Sequence, residues 1–384
     1  MIKRGFYFQD CIRINNDIWF ASGDYNGLYR YNVGNKRTER VALFPNEPFY
    51  QESLYIKICF YDNNLIFIPQ YGKRINIYNL YNKLLVDIEI PNLTESIQPP
   101  YFCEAVVYKQ YLFMMGAKYP GIIKVNLENY EVEIIDQRFI KLQNEICMNI
   151  YGIFLGTEGV LEANKFFIPC YQCNKVLEIN LDIGEYCLYE VGSKNNQYAR
   201  IIKAGDTFVL VTHNVKNDGY VVFWDYEKDT CEEVHFEMRG YVDRAVIEYL
   251  GDIWILSYAS NEICRVGIRD KQVNYYSVPD VDNLGIIFAR VVDNELLFCD
   301  YYTQSWYKIN NSMVIEKVLE KIDECVSEKE IEKRLLEDEF ENKLYDEKTS
   351  YLEFFIKKVQ KSETLYSDKK SGALIGKNIY KLCN

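Results

Sequence analysis

Charged side chains recur at equivalent places along this 384-residue chain. When the sequence is aligned on its internal repeat, seven positions at the start of a predicted strand stand out, and five of the seven carry a cation. These positions are Arg13, Lys57, Glu104, Asn149, Arg200, Arg244 and Arg290. Guanidinium groups hold carboxylates and phosphates through paired hydrogen bonds. A ring of such cations therefore predicts a binding site for an anionic ligand.

The competing interpretation of these cations is structural. Acidic residues lie close to the same positions in sequence, among them Asp10, Glu52 and Asp243. Ion pairs with such neighbours would satisfy the cations without any ligand. The two interpretations differ in one expectation: if the cations bind a ligand, replacing Arg200 and Arg290 with Ala abolishes binding with little loss of folding.

A second series of candidate ligand-binding residues is aromatic. Positions just after a predicted second strand carry Tyr, or once His, at the same offset. They are Tyr71, Tyr171, Tyr258, Tyr301 and His213, with Tyr25 two residues late in its repeat. Tyr combines an apolar ring with a hydroxyl, which suits sugar rings and the centres of protein interfaces. The chain contains 34 Tyr, so abundance explains part of this register.

Few residues are suited to catalysis or to metal binding. The chain has two His, His213 and His235, and lacks a GxSxG sequence, a P-loop and a dinucleotide fingerprint. Cys170 and Cys173 form a CxxC sequence, but zinc needs two further ligands, and neither a second CxxC nor a paired His is present. We therefore predict no metal site and no cofactor. Hydrolysis by a carboxylate pair stays open, with Glu104, Asp243 and Asp300 as the candidate acids.

The elements that position these residues come from a repeat. Seven times a short apolar–x–apolar stretch ends on Asn, Asp or Gly, at intervals of 42 to 54 residues. The stretches are 28–32, 75–79, 122–126, 176–180, 221–225, 263–267 and 306–310. Short strands separated by Asn-, Asp- and Gly-rich turns at this period are typical of four-stranded antiparallel blades. A β-sandwich does not normally hold seven equivalent units, and a β-helix has a much shorter repeat.

We therefore predict an all-β fold, a seven-bladed β-propeller of four-stranded antiparallel blades over residues 1–312. Six blades are the alternative, if the first or last unit is degenerate. Blade 4 is expected to carry an insertion at 152–162 between its first two strands. The way in which the ring closes stays open, and one hypothesis is that a strand at Lys3–Phe8 completes the last blade and so removes the open edge.

The repeats resemble those of WD40 and kelch propellers in length and strand layout, over about residues 3–312. Trp224 and Asp225 end a third strand as in a WD40 repeat, but the other six copies end in Asn or Gly. The Gly-His element of WD40 repeats and the paired glycines of kelch blades are absent. The resemblance implies a propeller fold and no specific family, and propellers serve as enzymes, lectins and scaffolds.

Composition changes after residue 312, where Lys and Glu dominate and Gly and Pro nearly vanish until Gly372. Ser327 to Glu330 have the sequence of a capping box. Four apolar residues before it lie at helical spacing: Val314, Val318, Leu319 and Ile322. We predict a helical C-terminal extension over residues 313–384. Its apolar stripe is expected to pack on the propeller rim, and docking of a partner protein is the alternative.

Composition also narrows the class of function. The net charge of −12 and the pI near 5.0 argue against a general nucleic-acid binder, because affinity for phosphates comes from clustered Lys and Arg. They argue equally against attachment to an anionic membrane. The sequence shows no apolar window long enough to span a bilayer and no signal peptide. We expect a cytoplasmic protein with its twelve Cys reduced.

These observations predict a non-enzymatic binding or scaffold propeller. It would recognise a partner protein or an anionic ligand, glycans included, on its axial face. The alternative is a propeller enzyme, a hydrolase or lyase, that acts on a saccharide or small substrate at the same face. Single substitutions of Glu104, Asp243 or His213 would separate the two, because only an enzyme loses turnover while it keeps binding.

Overall fold

The computed structural model describes residues 7–24, 26–48, 51–135, 155–213, 219–238, 242, 245–278, 281–303, 305–318 and 321–322. These residues form seven sheets, each built on four antiparallel strands and two of them with a fifth short strand, which confirms the seven-bladed β-propeller. Contacts assign these residues to one unit, Met1–Val326, and residues 327–384 lie outside the described part of the chain. Within the described ranges, the chain has no helix with the length and hydropathy that a membrane crossing requires.

Each blade follows the chain from its inner strand to its outer strand. Blades 1 to 4 consist of β1 (Cys11–Ile14), β2 (Asp17–Ala21), β3 (Leu28–Asn32) and β4 (Arg37–Ala42); β5 (Tyr55–Tyr61), β6 (Asn64–Pro69), β7 (Arg74–Asn79) and β8 (Leu85–Glu89); β9 (Phe102–Tyr108), β10 (Tyr111–Gly116), β11 (Ile122–Asn126) and β12 (Val132–Ile135); and β13 (Val160–Glu162), β14 (Lys165–Pro169), β15 (Lys175–Asn180) and β16 (Tyr186–Glu190).

Blades 5 to 7 consist of β17 (Tyr198–Ala204), β18 (Thr207–Thr212), β19 (Gly219–Asp225) and β20 (Thr230–Phe236); β21 (Val246–Tyr249), β22 (Asp252–Leu256), β24 (Glu262–Gly267) and β25 (Val273–Ser277); and β26 (Leu284–Val292), β27 (Glu295–Asp300), β28 (Ser305–Ile309) and β29 (Ile315–Val318). Two short strands add to these sheets, β23 (Tyr258–Ser260) beside β26 and β30 (Lys321–Ile322) beside β4. First strands of neighbouring blades contact each other, as β1 does β5 and β5 does β9, so they surround the axis.

The Asn or Asp that ends most third strands explains the repeat. In blade 2, Asn79 Oδ1 accepts hydrogen bonds from the backbone nitrogens of Tyr81 (3.0 Å) and Asn82 (2.9 Å) and closes the turn between β7 and β8. A short side chain with an acceptor oxygen is what such an Asx turn requires. The corresponding side chains in other blades are Asn32, Asn126, Asn180, Asp225 and Asn310.

The turns between first and second strands have a left-handed backbone, with φ of 54° at Asn15, 61° at Asn63 and 77° at Gly251. Gly and Asn adopt this conformation most readily, and they marked these turns in the sequence. Blade 3 differs, because Lys109 takes the left-handed position with φ of 56°. This turn, Lys109 and Gln110, contains no Gly, Asn or Asp. In blade 4 the predicted insertion at 152–162 is wrong, because Val160–Glu162 is itself the inner strand β13.

Buried apolar side chains form one cluster between each pair of neighbouring blades in the described part of the chain. Between blades 2 and 3, for example, Ile66 and Ile77 pack with Leu112 and Val125, all fully or almost fully buried. Burial of each such side chain contributes about 1.5–3 kcal/mol. The ring is therefore stabilised at its blade interfaces, and the seventh interface has to close it.

The seventh interface, between blades 7 and 1, is closed without the predicted N-terminal strand. The fourth strand of blade 7 is β29, whose Ile315 lies opposite Ile309 of β28. Tyr7 and Phe8, the described end of the predicted strand at Lys3–Phe8, belong to no strand, so that prediction is wrong. The strand pattern at Lys3–Phe8 is local, and it could not show that β28 is already paired with β29.

Tyr7 and Phe8 instead fill the interface between blades 7 and 1 with their rings. Phe8 is fully buried, and its ring centroid lies 4.7 Å from that of Phe20, 5.1 Å from Phe288 and 5.0 Å from Trp306. The Tyr7 hydroxyl donates to the carbonyl of Gly23 at 2.5 Å. A Cβ at position 23 would lie 2.2 Å from the Tyr7 ring, so only Gly leaves room for it.

The chain after blade 7 continues as strand where helix was predicted. Ile315–Val318 forms β29, and Lys321–Ile322 pairs in parallel with Arg37 and Thr38 of β4 in blade 1. The helical interpretation of this stretch is wrong because the open edges of two blades offer backbone hydrogen bonds that outweigh local spacing. The remainder of the predicted extension lies outside the described residues.

Candidate functional site

First strands begin, and second strands end, at the same face of the ring, which we call the mouth. Lys57 lies opposite Ile68, Glu104 opposite Met115 and Arg200 opposite Val211, each near the end of a second strand. These three candidate residues therefore hold equivalent places at the mouth, as predicted from the repeat.

Arg13 lies at the other face, and its predicted place at the mouth is wrong. It pairs with Ile18 beside the turn between β1 and β2. Its guanidinium forms an ion pair with Asp293, in the turn between β26 and β27. The misplacement is a register error of three residues, because the place in blade 1 that is equivalent to Lys57 is position 10. Arg244 and Asn149, also predicted for this ring, lie outside the described residues.

Two acids take equivalent places that the sequence analysis did not assign. Continuing the register of Cys11 with Phe20 places Asp10 opposite Ala21 at the mouth of blade 1. The register of β13 with β14 likewise places Glu158 at the mouth of blade 4. Glu158 escaped prediction because the inner strand of blade 4 was expected near Asn149.

Asp10, Lys57, Glu104, Glu158, Arg200 and Arg290 form what we call the axial network. In blade 7 the place equivalent to Lys57 is taken by Phe288, and Arg290 lies two residues further along β26. The guanidinium of Arg290 reaches the carboxylates of Asp10 at 3.0 Å and of Glu158 at 3.3 Å. Arg200 also pairs with Glu158, and Lys57 pairs with Glu104. Three cations meet three acids, so the formal charges of these six described residues cancel.

Burial and backbone contacts make this network part of the ring. The side chain of Glu104 is 0% exposed, and those of Asp10 and Arg200 are each 4% exposed. The Asp10 carboxylate accepts hydrogen bonds from the backbone nitrogens of Cys11 and Ile58, both at 2.9 Å, and also pairs with Arg290. Asp10 alone therefore connects blades 7, 1 and 2.

The network leaves little space at the axis. The cavity among its side chains has a volume of about 20 Å³, enough for about one water molecule. It is lined by Gln9, Lys57, Thr157, Glu158, Arg200 and Arg290, among others. A saccharide does not fit in this cavity between the described residues, so a ligand of that size would contact the rim above it.

The rim of the mouth carries a continuous run of aromatic rings across blades 6, 7 and 1. Tyr258 contacts Tyr302 with 5.6 Å between ring centroids, Tyr302 contacts Tyr301 at 5.8 Å, and Tyr301 contacts Tyr7 at 4.8 Å. Distances of this size give favourable edge-to-face contacts. Tyr258, Tyr301 and Tyr302 are each partly exposed. The predicted pair Tyr258 and Tyr301 is thus joined through Tyr302, which the register had not selected.

A second aromatic group spans blades 4 and 5. The hydroxyl of Tyr171 lies 2.8 Å from Nε2 of His213, and Nδ1 of His213 lies 2.8 Å from the carbonyl oxygen of Val242. Because a carbonyl only accepts, Nδ1 carries the proton and Nε2 accepts from Tyr171. Both ring nitrogens of His213 are therefore occupied. The second histidine, His235, lies exposed on the outer strand β20, as predicted.

The turn that carries Tyr71 is held by a buried carboxylate. Oε1 of Glu47 accepts hydrogen bonds from the backbone nitrogens of Lys73 at 2.7 Å and Arg74 at 2.8 Å. Burial raises the pKa of Glu47 from its ordinary 4.5 to about 7, against the opposing effect of these two hydrogen bonds and of the nearby Arg74 and Lys73 charges. Tyr71 itself is partly exposed at the rim.

Replacing Glu47 with Gln should stabilise the protein increasingly as pH rises. The unfolded carboxyl loses its proton near pH 4.5 and the folded one near pH 7, so the stability given by the protonated group is lost between these values. At about 1.4 kcal/mol per pH unit, the variant should gain about 2–3 kcal/mol over the parent protein between pH 5 and pH 8. Urea unfolding at each pH measures this, and a difference between the two proteins that is constant with pH would contradict it.

The candidate catalytic acids are engaged in structure. Asp300 is fully buried, and its carboxylate accepts hydrogen bonds from the backbone nitrogens of Gly285 (2.8 Å) and Thr303 (3.0 Å). Glu104 pairs with Lys57, and Asp243 lies outside the described residues. Across the described ranges, no three His, Cys, Asp or Glu side chains converge as a metal site would need.

No family model and no curated protein matches the sequence. Solved structures do match. A streptogramin B lyase is 14% identical with a TM-score of 0.54, over 70% of this chain and 83% of that one. A virginiamycin B lyase from Staphylococcus aureus is 13% identical with a TM-score of 0.52, over 80% and 87%. The extracellular domain of BT4673 from B. thetaiotaomicron is 10% identical with a TM-score of 0.55, over 77% and 37%. At these identities the likeness establishes the fold alone.

Proposed function

We propose that this chain is a non-enzymatic propeller that binds a partner protein on the rim of the mouth. The observation that carries the proposal is the filled axis. The axial network leaves a cavity of about 20 Å³, so binding has to use the surface around it. Lys57, Arg200 and Arg290, three of the five cations first considered for an anionic ligand, already pair with Asp10, Glu104 and Glu158. The binding free energy available to a small anion at these cations is therefore smaller than that available to a protein on the rim.

The rim has the side chains of a protein-binding surface. Tyr258, Tyr301 and Tyr302 form one partly exposed run, and Tyr171 lies beyond it next to His213. Tyrosine buries a large area on binding at a small cost in side-chain entropy, and it is frequent among the residues that dominate binding energy. Their contacts with one another hold these rings in place before a partner arrives, which lowers that cost further.

The enzymatic alternative, a hydrolase or lyase at the same face, finds less support. In the described part of the mouth, the candidate proton-transfer groups Glu104, His213 and Asp300 each bond to neighbouring protein groups. The lyases that share the fold are enzymes by their names, but a shared fold does not transfer an activity.

Site-specific photocrosslinking tests the location of binding. In the full chain, Tyr258 or Tyr171 is replaced with p-benzoylphenylalanine, and the producing cells are irradiated. The matched control is Tyr81, which is 90% exposed in the turn between β7 and β8 at the opposite face. We expect a discrete protein adduct from the mouth positions and none from position 81. Equal adducts from both faces, or none from the mouth, would refute the proposal.

Substitution then measures the contribution of the rim to affinity. Once the crosslinked partner is identified, Tyr258→Ala should weaken its binding by at least about tenfold, as expected of a central interface tyrosine. Tyr81→Ala should leave the affinity unchanged. The two variants should keep the melting temperature of the parent protein, because both side chains lie at the surface. An unchanged affinity for Tyr258→Ala would place the partner elsewhere.

A further inference from the structure

The CxxC sequence has no part in the proposed binding function, yet its geometry is that of a reactive pair. Cys170 and Cys173 flank the turn between β14 and β15 at the mouth, where the Cys173 nitrogen lies 3.4 Å from the Cys170 carbonyl. Both are free thiols. A hydrogen bond between the two thiol groups couples their pKa values.

The two thiols have different surroundings, and the difference assigns them different roles. Cys170 is fully buried in the apolar cluster between blades 3 and 4, whereas Cys173 is partly exposed at its edge. The hydrogen bond from Cys170 lowers the pKa of Cys173 to about 7 and raises that of Cys170. Because the thiolate is the nucleophile in thiol chemistry, Cys173 is the attacking residue and Cys170 the resolving one.

We propose that Cys170 and Cys173 are a redox-active dithiol that reacts with small disulfides such as oxidised glutathione. The Cys173 thiolate attacks one glutathione sulfur, which forms a mixed disulfide and releases the other glutathione as a thiolate. Cys170 then gives up its proton to solvent, and its sulfur attacks Sγ of Cys173. The protein disulfide forms as the second glutathione leaves. The two protons of the protein thiols end on the two glutathione thiolates, so the protein is oxidised by two electrons and glutathione disulfide is reduced.

The oxidation state of this pair acts on the rim of the mouth. Tyr171 lies between the two cysteines in sequence, and its hydroxyl bonds to His213 at 2.8 Å. A disulfide draws the sulfurs to about 2.05 Å, closer than any hydrogen bond, and the turn that carries Tyr171 has to adjust. An effect of oxidation on partner binding rests on the proposed binding function. The dithiol chemistry itself does not depend on that function.

The chemistry is tested by peptide mass. The full chain, with the exposed Cys187 and Cys231 replaced by Ser, is equilibrated in glutathione buffers, alkylated and cut with trypsin. The peptide between Lys165 and Lys175 contains both Cys170 and Cys173 and no other cysteine. We expect it to become unalkylated and lighter by two hydrogen atoms as oxidised glutathione increases. A peptide that stays fully alkylated in the most oxidising buffer would refute the proposal.

Two single variants test the assignment of roles. In Cys170→Ser, the mixed disulfide has no resolving thiol, so glutathione should stay attached to Cys173. In Cys173→Ser, the buried Cys170 should carry at least about tenfold less glutathione, because it is neither exposed nor readily ionised. Equal adducts on the two variants would overturn the assignment. The peptide result on the parent chain decides the chemistry even if a variant fails to fold.

Histidine NMR tests the coupling to the mouth. The chain has two histidines, and His235 on β20 serves as an internal control. Oxidation of the parent chain should shift the ring signals of His213 and leave those of His235 unchanged. In the Cys173→Ser variant, the same treatment should leave the signals of both histidines unchanged. If the disulfide forms and the His213 signals do not move, the dithiol does not act on the rim.

Discussion

Replacing Phe8 with Ala should lower the free energy of unfolding by about 3–5 kcal/mol, the range for an aromatic side chain lost from a packed core. Phe8 is 0% exposed and touches Phe20, Phe288 and Trp306, which belong to blades 1 and 7. Its removal opens the interface at which the ring closes. Urea unfolding followed by tryptophan fluorescence measures the loss, because the ring of Trp306 lies 5.0 Å from that of Phe8.

Phe60→Ala is the matched control. Phe60 lies in β5 and is 41% exposed, so its truncation should cost less than about 1 kcal/mol. Deletion of residues 1–9 removes Tyr7 together with Phe8 and should destabilise the ring at least as much as Phe8→Ala does. If Phe8→Ala proved as stable as Phe60→Ala, the N-terminal residues would not close the ring.

Replacing Arg200 and Arg290 together with Met should also cost about 3–5 kcal/mol, because it leaves buried acids without a cation. Glu158 loses both of its described cationic partners, and Asp10 loses Arg290. Met keeps much of the volume and the apolar stem of each side chain. The result would differ from the first expectation for these arginines, which was loss of ligand binding with little loss of folding.

Arg30→Met controls for the loss of a cation as such. Arg30 is 39% exposed and pairs with Asp17 and Glu39 at the surface, where such pairs are worth about 0–1 kcal/mol. Adding Glu158→Gln to the double variant should restore part of its stability. A double variant as stable as Arg30→Met, with weakened binding of inorganic phosphate, would support the ligand interpretation instead.

The fold could be predicted because each blade repeats its own local signals. The Asn that ends a third strand and the left-handed turn before a second strand are local chemistry, visible without knowledge of the partners. Lys109 and Ile315–Val318 show where this stops. One is a turn without a turn residue, and the other is a strand that exists because a neighbouring edge is open.

The candidate site was predictable in position and not in contacts. Lys57, Glu104 and Arg200 were placed by counting residues, and Tyr258 and Tyr301 were placed in the same way. The ion-pair partners of these cations are residues far away in sequence, as the pair of Arg290 with Glu158 shows. A register error of a few residues was enough to select Arg13 in place of Asp10, and with it a ring of cations in place of a neutral network.

The central claim is that the axial charges bind one another, and a double-mutant cycle on Asp10 and Arg290 tests it most directly. The free energy of unfolding is measured for the parent chain, Asp10→Asn, Arg290→Met and the double variant. We expect a coupling of about 1–3 kcal/mol, because either single change leaves the other charge without its partner at 3.0 Å. A coupling near zero, with Arg290→Met as stable as the parent protein, would contradict the claim.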